Sequence, residues 1–143
     1  MRDILKAQLL RGVVNQVLLI EGHRLMRYAL RELLAENGFK SIAEATNPVE
    51  AVRQAIDLMP DIIVLDSTWT EIQGSCLSRI LRVLTPKSRI VLLVDQDLTD
   101  EQEFAHWSGV DALVRKSALT QGLPQLLARW QPGEQTPPSP QGV

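Results

Sequence analysis

Four short polar clusters in this chain each follow directly on a run of apolar residues: Glu21-Gly22-His23, Asp66-Ser67-Thr68-Trp69, Asp95-Gln96-Asp97 and Arg115-Lys116-Ser117. Carboxylates and one lysine gathered on a common rim would handle a charged ligand through oxygen donors and a fixed cation. Thiol chemistry and Cys/His metal chemistry are disfavoured. The single cysteine, Cys76, has no intramolecular disulfide partner, and His23 and His106 stand alone.

The rim forms only if the preceding runs lie side by side and point the same way. Val17–Ile20, Ile62–Leu65 and Ile90–Val94 are continuous apolar stretches without polar alternation, as expected of strands buried on both faces of a parallel sheet. Weaker strands fit Ser41–Ala45 and Ala112–Val114. Between them, Leu25, Ala29, Leu30, Leu33 and Leu34 keep helical period up to Asn37-Gly38, and Val49, Val52, Ala55 and Ile56 follow the start signal Asn47-Pro48. Further helices fit Cys76–Leu84, Asp100–Trp107 and Leu119–Trp130. Alternation of strand and helix predicts a doubly wound α/β domain: a five-stranded parallel sheet, right-handed crossovers and helices on both faces. In such sheets ligands bind beyond the carboxyl ends of the strands, where the four clusters fall.

Composition agrees with one such domain. The chain has 143 residues, 45% hydrophobic and 22% charged, with 15 Lys+Arg against 17 Asp+Glu and a net charge of −2. A near-neutral chain lacks the basic field that drives phosphate-backbone binding, so direct nucleic-acid contact is not expected. No membrane-spanning run or secretory signal is read, and a cytoplasmic setting is expected. Residues 15–130 form the domain; residues 1–14 are an extension with loosely helical apolar spacing, and residues 131–143 are a Pro-rich tail or linker.

Three segments on the expected elements resemble the receiver domain of bacterial two-component response regulators, a flavodoxin-like fold with strand order 2-1-3-4-5. Pro60-Asp61-Ile62-Ile63-Val64-Leu65-Asp66, with Gly74 eight residues on, resembles the segment around the phospho-accepting aspartate. Gly109-Val110-Asp111-Ala112-Leu113-Val114-Arg115-Lys116 resembles the fifth strand and its lysine. Leu18-Leu19-Ile20-Glu21-Gly22-His23, followed by Leu25 and Arg27, resembles the first strand and acidic loop, particularly of receivers that carry helix-turn-helix output domains (the NarL/LuxR type). The resemblance implies Asp66 as phosphoacceptor from a histidine kinase or phosphotransfer protein, and Lys116 as the phosphoryl contact. It implies a Mg²⁺ held by Glu21, Asp66 and the backbone carbonyl of Thr68.

Departures from the family pattern define an atypical receiver. Gly22 stands where the second acid of the loop is usual, which weakens the Mg²⁺ site. The two switch positions, normally a hydroxyl after strand 4 and an aromatic on strand 5, are Val94 and Leu113. Trp69 replaces part of the usual Met-Pro pair and belongs to the rim of the site, capping it or touching a partner.

Other expectations are plainer. His23 reads as a helix-start residue, Arg24, Arg27 and Arg31 as a solvated basic stripe, and Cys76 and His106 as ordinary helix residues. Trp107 and Trp130 read as packing residues. Two alternatives stand beside the phosphorelay reading. One is a phosphorylation-independent pseudo-receiver acting as an interaction or homodimerisation module. The other is an aspartyl-phosphate phosphatase, suggested by Asp66, Thr68 and Thr70 in a D-x-T-x-T arrangement.

Overall fold

A computed structural model describes residues 16–66, 76–95 and 109–130. The expected 100–107 helix, the 1–14 extension, the 131–143 tail, and the assignments to Thr68, Trp69, His106 and Trp107 lie outside the described residues. The elements are β1 (Gln16–Ile20), α1 (Arg24–Glu36), β2 (Ser41–Ala45), α2 (Pro48–Leu58), β3 (Ile62–Asp66), α3 (Leu77–Leu84), β4 (Arg89–Val94), β5 (Ala112–Arg115) and α4 (Leu119–Arg129). All strand pairings are parallel, as the alternation of strand and helix predicts, and the order is β2-β1-β3-β4-β5, as the family resemblance implies.

The apolar strands supply two cores at once. Successive side chains point to opposite faces. Val17, Leu19, Ile62, Val64, Val91 and Leu93 therefore pack under Leu30 and Leu34 of α1 and Leu123, Leu126 and Leu127 of α4. Leu18, Ile20, Ile63, Leu65, Ile90 and Leu92 pack under Ala51 and Ala55 of α2 and Leu77 and Leu81 of α3. Small residues set the seat of α2: Ala51 and Ala55 are fully buried, whereas Val49 and Ile56, counted on the apolar face by period alone, lie exposed. Leu25 is likewise exposed rather than part of the inward face of α1.

Local signals fix the helix ends. The Asn47 side chain accepts from the Glu50 N–H, with Pro48 in the first turn of α2. His23 caps α1, its Nδ1 accepting from the Met26 N–H at 3.3 Å, so the helix-start reading holds. Cys76 requires a correction. It precedes α3 as the capping position and is buried, with its thiol 3.0 Å from Ser78 Oγ, because the helix enters the core directly from this point.

One arginine clamps the amino ends of β4 and β5, the end of the sheet opposite Lys116. Arg82 of α3 donates to the carbonyls of Gly109, Pro86 and Ser88 and pairs with Asp111 at 2.5 Å. Asp111 in turn accepts from the Ile90 N–H at 2.7 Å. Gly109 takes a φ of +80°, which a side chain there would oppose. The entry to β5 is thereby tied to β4, and at the same end of the sheet Trp130 packs with the Arg89 guanidinium 5.3 Å from its ring centre.

Candidate functional site

Glu21 leaves the end of β1 with its N–H on the Ala45 carbonyl at 3.1 Å, which holds its backbone against β2. Its side chain turns inward, where only 2% of the residue is exposed. Oε2 accepts from the His23 N–H at 3.0 Å, while the buried Oε1 has no hydrogen-bond partner among the described residues. Gly22 follows and contributes only its carbonyl, which accepts from Arg27 at 3.5 Å.

Asp66 closes β3 opposite Leu93 of β4, and is 5% exposed. Its burial follows from its place between two interior strands. Lys116 starts the 3-10 turn after β5 and crosses the end of β4 to place Nζ 2.7 Å from Asp66 Oδ1 and 3.3 Å from Asp95 Oδ1. Asp95, the residue after β4, is 64% exposed at its side chain. Val94, one residue earlier, is turned into the α2/α3 core and is 4% exposed, and Leu113 of β5 packs partly buried against that same core.

These groups floor an open groove of about 540 Å³, with Glu21, Asp66, Asp95 and Lys116 below and Leu25, Met26 and Ala29 of α1 along one wall. The fold therefore brings together Glu21, Asp66 and Lys116 from three separate strand ends. It sets Val94 and Leu113 nearby but gives them no polar group. Thr68 and Trp69, expected at this rim, fall outside the described residues.

The charges are mutually dependent. Burial pushes the Glu21 carboxyl above its ordinary value, the Asp66 charge pushes it further, and the His23 N–H and Lys116 pull it back only in part. For Lys116, burial works against the ammonium but is outweighed by the bond to Asp66 and the charges of Asp66 and Asp95, so its pKa is raised. Lys116 is a fixed cation through the neutral range.

The Glu21 shift has a definite sign in stability. A carboxyl raised on folding favours the native state below the unfolded value of about 4.5 and loses that contribution as pH rises through the folded value. Ionised Glu21 is thus a cost at neutral pH. In metal-free buffer, Glu21→Gln is expected to unfold at a higher temperature than the parent at pH 7 and to show a flatter stability profile from pH ~4.5 upward. Thermal melts across that range check it; an unchanged slope contradicts the assignment.

A divalent cation has a partial cradle here. Mg²⁺ takes one or two carboxylates and completes its shell with waters. Glu21 and Asp66 are two buried carboxylates, and the orphaned Glu21 Oε1 is the kind of group a cation satisfies. Among the described residues no group of three His, Cys, Asp or Glu side chains is placed to hold a metal. The donor set fits a cation held largely through water.

Two residues take roles at the site that the sequence reading does not assign them. Asp95 carries the same signal as the others, a polar residue directly after an apolar run, yet the family pattern directs attention there to a hydroxyl. Arg27 reads with Arg31 as part of a solvated stripe; instead both pair with Glu44 of β2, and Arg27 also donates to the Glu21 carbonyl at 3.1 Å. The pairing with Glu44 bridges seventeen residues of sequence, which spacing along one helix does not reveal.

Comparison with known proteins follows the same outline. Residues 17–128 match the family model for the response regulator receiver domain. The chemotaxis protein CheY of Bacillus subtilis is 26% identical over 80 residues, 56% of this chain and 67% of that protein. The nitrate/nitrite response regulator protein homolog of Haemophilus influenzae is 27% identical over 120 residues, 83% of this chain and 58% of that protein. The match thus spans a little over half of the longer relative's length. Among solved structures, a response regulator from Desulfuromonas acetoxidans superposes with TM-score 0.69 at 20% identity, covering 80% of this chain and 94% of that one. A LuxR-family DNA-binding response regulator from Staphylococcus aureus gives 0.68 at 19%, covering 82% and 99%.

Proposed function

The chain belongs to the response regulator receiver domain family, and from that premise we propose that it is an atypical receiver in a phosphorelay, with Asp66 as phosphoacceptor. The observation that carries this is the buried Asp66 carboxylate at the end of β3 with the Lys116 ammonium 2.7 Å away. An Asp66 oxygen attacks the phosphorus of a phosphohistidine on a histidine kinase or phosphotransfer protein. The donor P–N bond breaks, the imidazole leaves with the electron pair, and an acyl phosphate remains on Asp66. Negative charge meets negative charge in this step, so a positioned cation is the main catalytic need. Lys116 supplies one, held in place by two carboxylates.

Mg²⁺, when bound, supplies further neutralisation of the phosphoryl oxygens; Glu21 and Asp66 are the residues that would hold it, with the Thr68 carbonyl added by the family resemblance. Gly22 gives no carboxylate to that set, so the cation is held weakly. Val94 and Leu113 give no hydrogen bond to a phosphoryl group, and conformational response through those positions is reduced.

Leu25 and Tyr28 favour the interaction-module reading in addition. They stand 73% and 65% exposed on α1, beside the groove, as a surface for a partner protein or for a second copy of the chain. The phosphatase alternative rested on Asp66, Thr68 and Thr70, which the family match covers as part of a receiver domain.

Titration with Mg²⁺ and then beryllofluoride, followed by tryptophan fluorescence, tests the proposal. The parent protein is expected to give a saturable change and Asp66→Asn none. A flat response in both proteins would leave the pseudo-receiver reading in its place.

A further inference from the structure

We propose that Asp95 reverses the usual sense of the switch: it tethers the end of β4 to Lys116 in the resting protein, and a phosphoryl group on Asp66 expels it. This rests on the reading of Asp66 as phosphoacceptor. It starts from the resting geometry, in which the Lys116 ammonium lies between Asp66 Oδ1 at 2.7 Å and Asp95 Oδ1 at 3.3 Å. Val94, at the position from which a hydroxyl would reach in, points into the core instead. Among the described residues, the polar group that the end of β4 brings to Lys116 is therefore the Asp95 carboxylate.

Charge decides between tether and release. Resting Asp66 carries one negative charge, whereas a phosphoryl group brings about −1.5 to −2 and three strong acceptor oxygens to the same place. Lys116 has one positive charge to distribute. The phosphoryl oxygens draw the ammonium fully, and Asp95 is left beside a like charge larger than the one it faced before. Release is easy because the Asp95 side chain is already 64% exposed and solvent receives it. A hydroxyl would have been pulled toward the phosphoryl group; a carboxylate is pushed away. The end of β4 is thus tied to Lys116 through Asp95 without phosphate and freed with it.

Two measurements on the whole chain test this together. Fluorine NMR of beryllofluoride in Mg²⁺ buffer reports occupancy of Asp66, and deuterium exchange at the carboxyl end of β4, up to Asp95, reports the tether. With the bound signal present, the parent protein is expected to exchange there about two- to fivefold faster than at rest, the loss of one exposed ion pair. Asp95→Asn is expected to exchange fast at rest, to show no further acceleration, and to bind beryllofluoride more tightly than the parent. Slower or unchanged exchange in the parent with the bound signal present overturns the reversal alone. So does acceleration that persists in Asp95→Asn. Absence of the bound signal in the parent removes both the reversal and the phosphoacceptor reading.

Discussion

Lys116→Ala is expected to destabilise the protein by about 3 kcal/mol at neutral pH and to suppress phosphoryl uptake by Asp66. The ammonium lies 2.7 Å from Asp66 Oδ1, with the two side chains 17% and 7% exposed. Removing it leaves Asp66 and the nearby Glu21, whose carboxyl already titrates high, without their cation. A buried carboxylate that loses its ammonium costs more than the packing lost with the lysine stem. Chemical denaturation measures the loss. A double-mutant cycle separates the pair from other effects: Asp66→Asn in the Lys116→Ala background is expected to restore most of the stability. The sign with pH is fixed by the raised Lys116 pKa. Its stabilisation is present below the ordinary value of 10.5 and fades as pH rises through the higher folded value, so parent and variant converge in strong alkali. Additive losses in the cycle would show that the lysine and Asp66 do not act on each other.

Leu65→Ala is expected to cost about 2–5 kcal/mol while leaving the chemistry of the site in place. Leu65 is fully buried, one residue before Asp66, and packs in the α2/α3 core with Ile20, Leu77, Leu81 and Leu92. The central strands have neighbours on both sides and helices above and below, so the cavity cannot close by local collapse. Asp66 itself keeps its place, because β3 is paired to both β1 and β4 through this stretch. Denaturant midpoints are expected to fall while residual native protein still takes up beryllofluoride. Full loss of uptake at low denaturant, with the sheet intact by circular dichroism, would mean that packing under Asp66 sets the reactive geometry directly.

Much of the fold is legible in the chain itself. Unbroken apolar runs mark β1, β3 and β4, and their parallel order follows from the helices between them. Asn47-Pro48 and Asn37-Gly38 mark helix ends through local chemistry, which depends on a few adjacent residues. Spacing misses the consequences of tertiary contact. Period places Ala55 on the inward face of α2, but it misses the fully buried Ala51 and wrongly adds Val49 and Ile56, which lie exposed. Arg27 and Arg31 pair with Glu44, a partner on another element, although Arg31 keeps about half of its side chain in solvent. Asp95 is visible as a polar strand-end residue, but only the crossing of the Lys116 side chain over β4 gives it a role. The residues that set the charge of the site can be found in the sequence; the way they share one lysine cannot.

Every role assigned at this site turns on Asp66 accepting a phosphoryl group. Incubation of the whole chain with Mg²⁺ and a small-molecule acyl phosphate donor, with intact mass measurement and hydride trapping of the acyl phosphate, tests that directly. The expected result is the mass gain of one phosphoryl group, lost on heating in base, and a trapped residue at position 66 that Asp66→Asn abolishes. A parent protein that gains no phosphoryl group, or that carries it on another residue, contradicts the phosphoacceptor role.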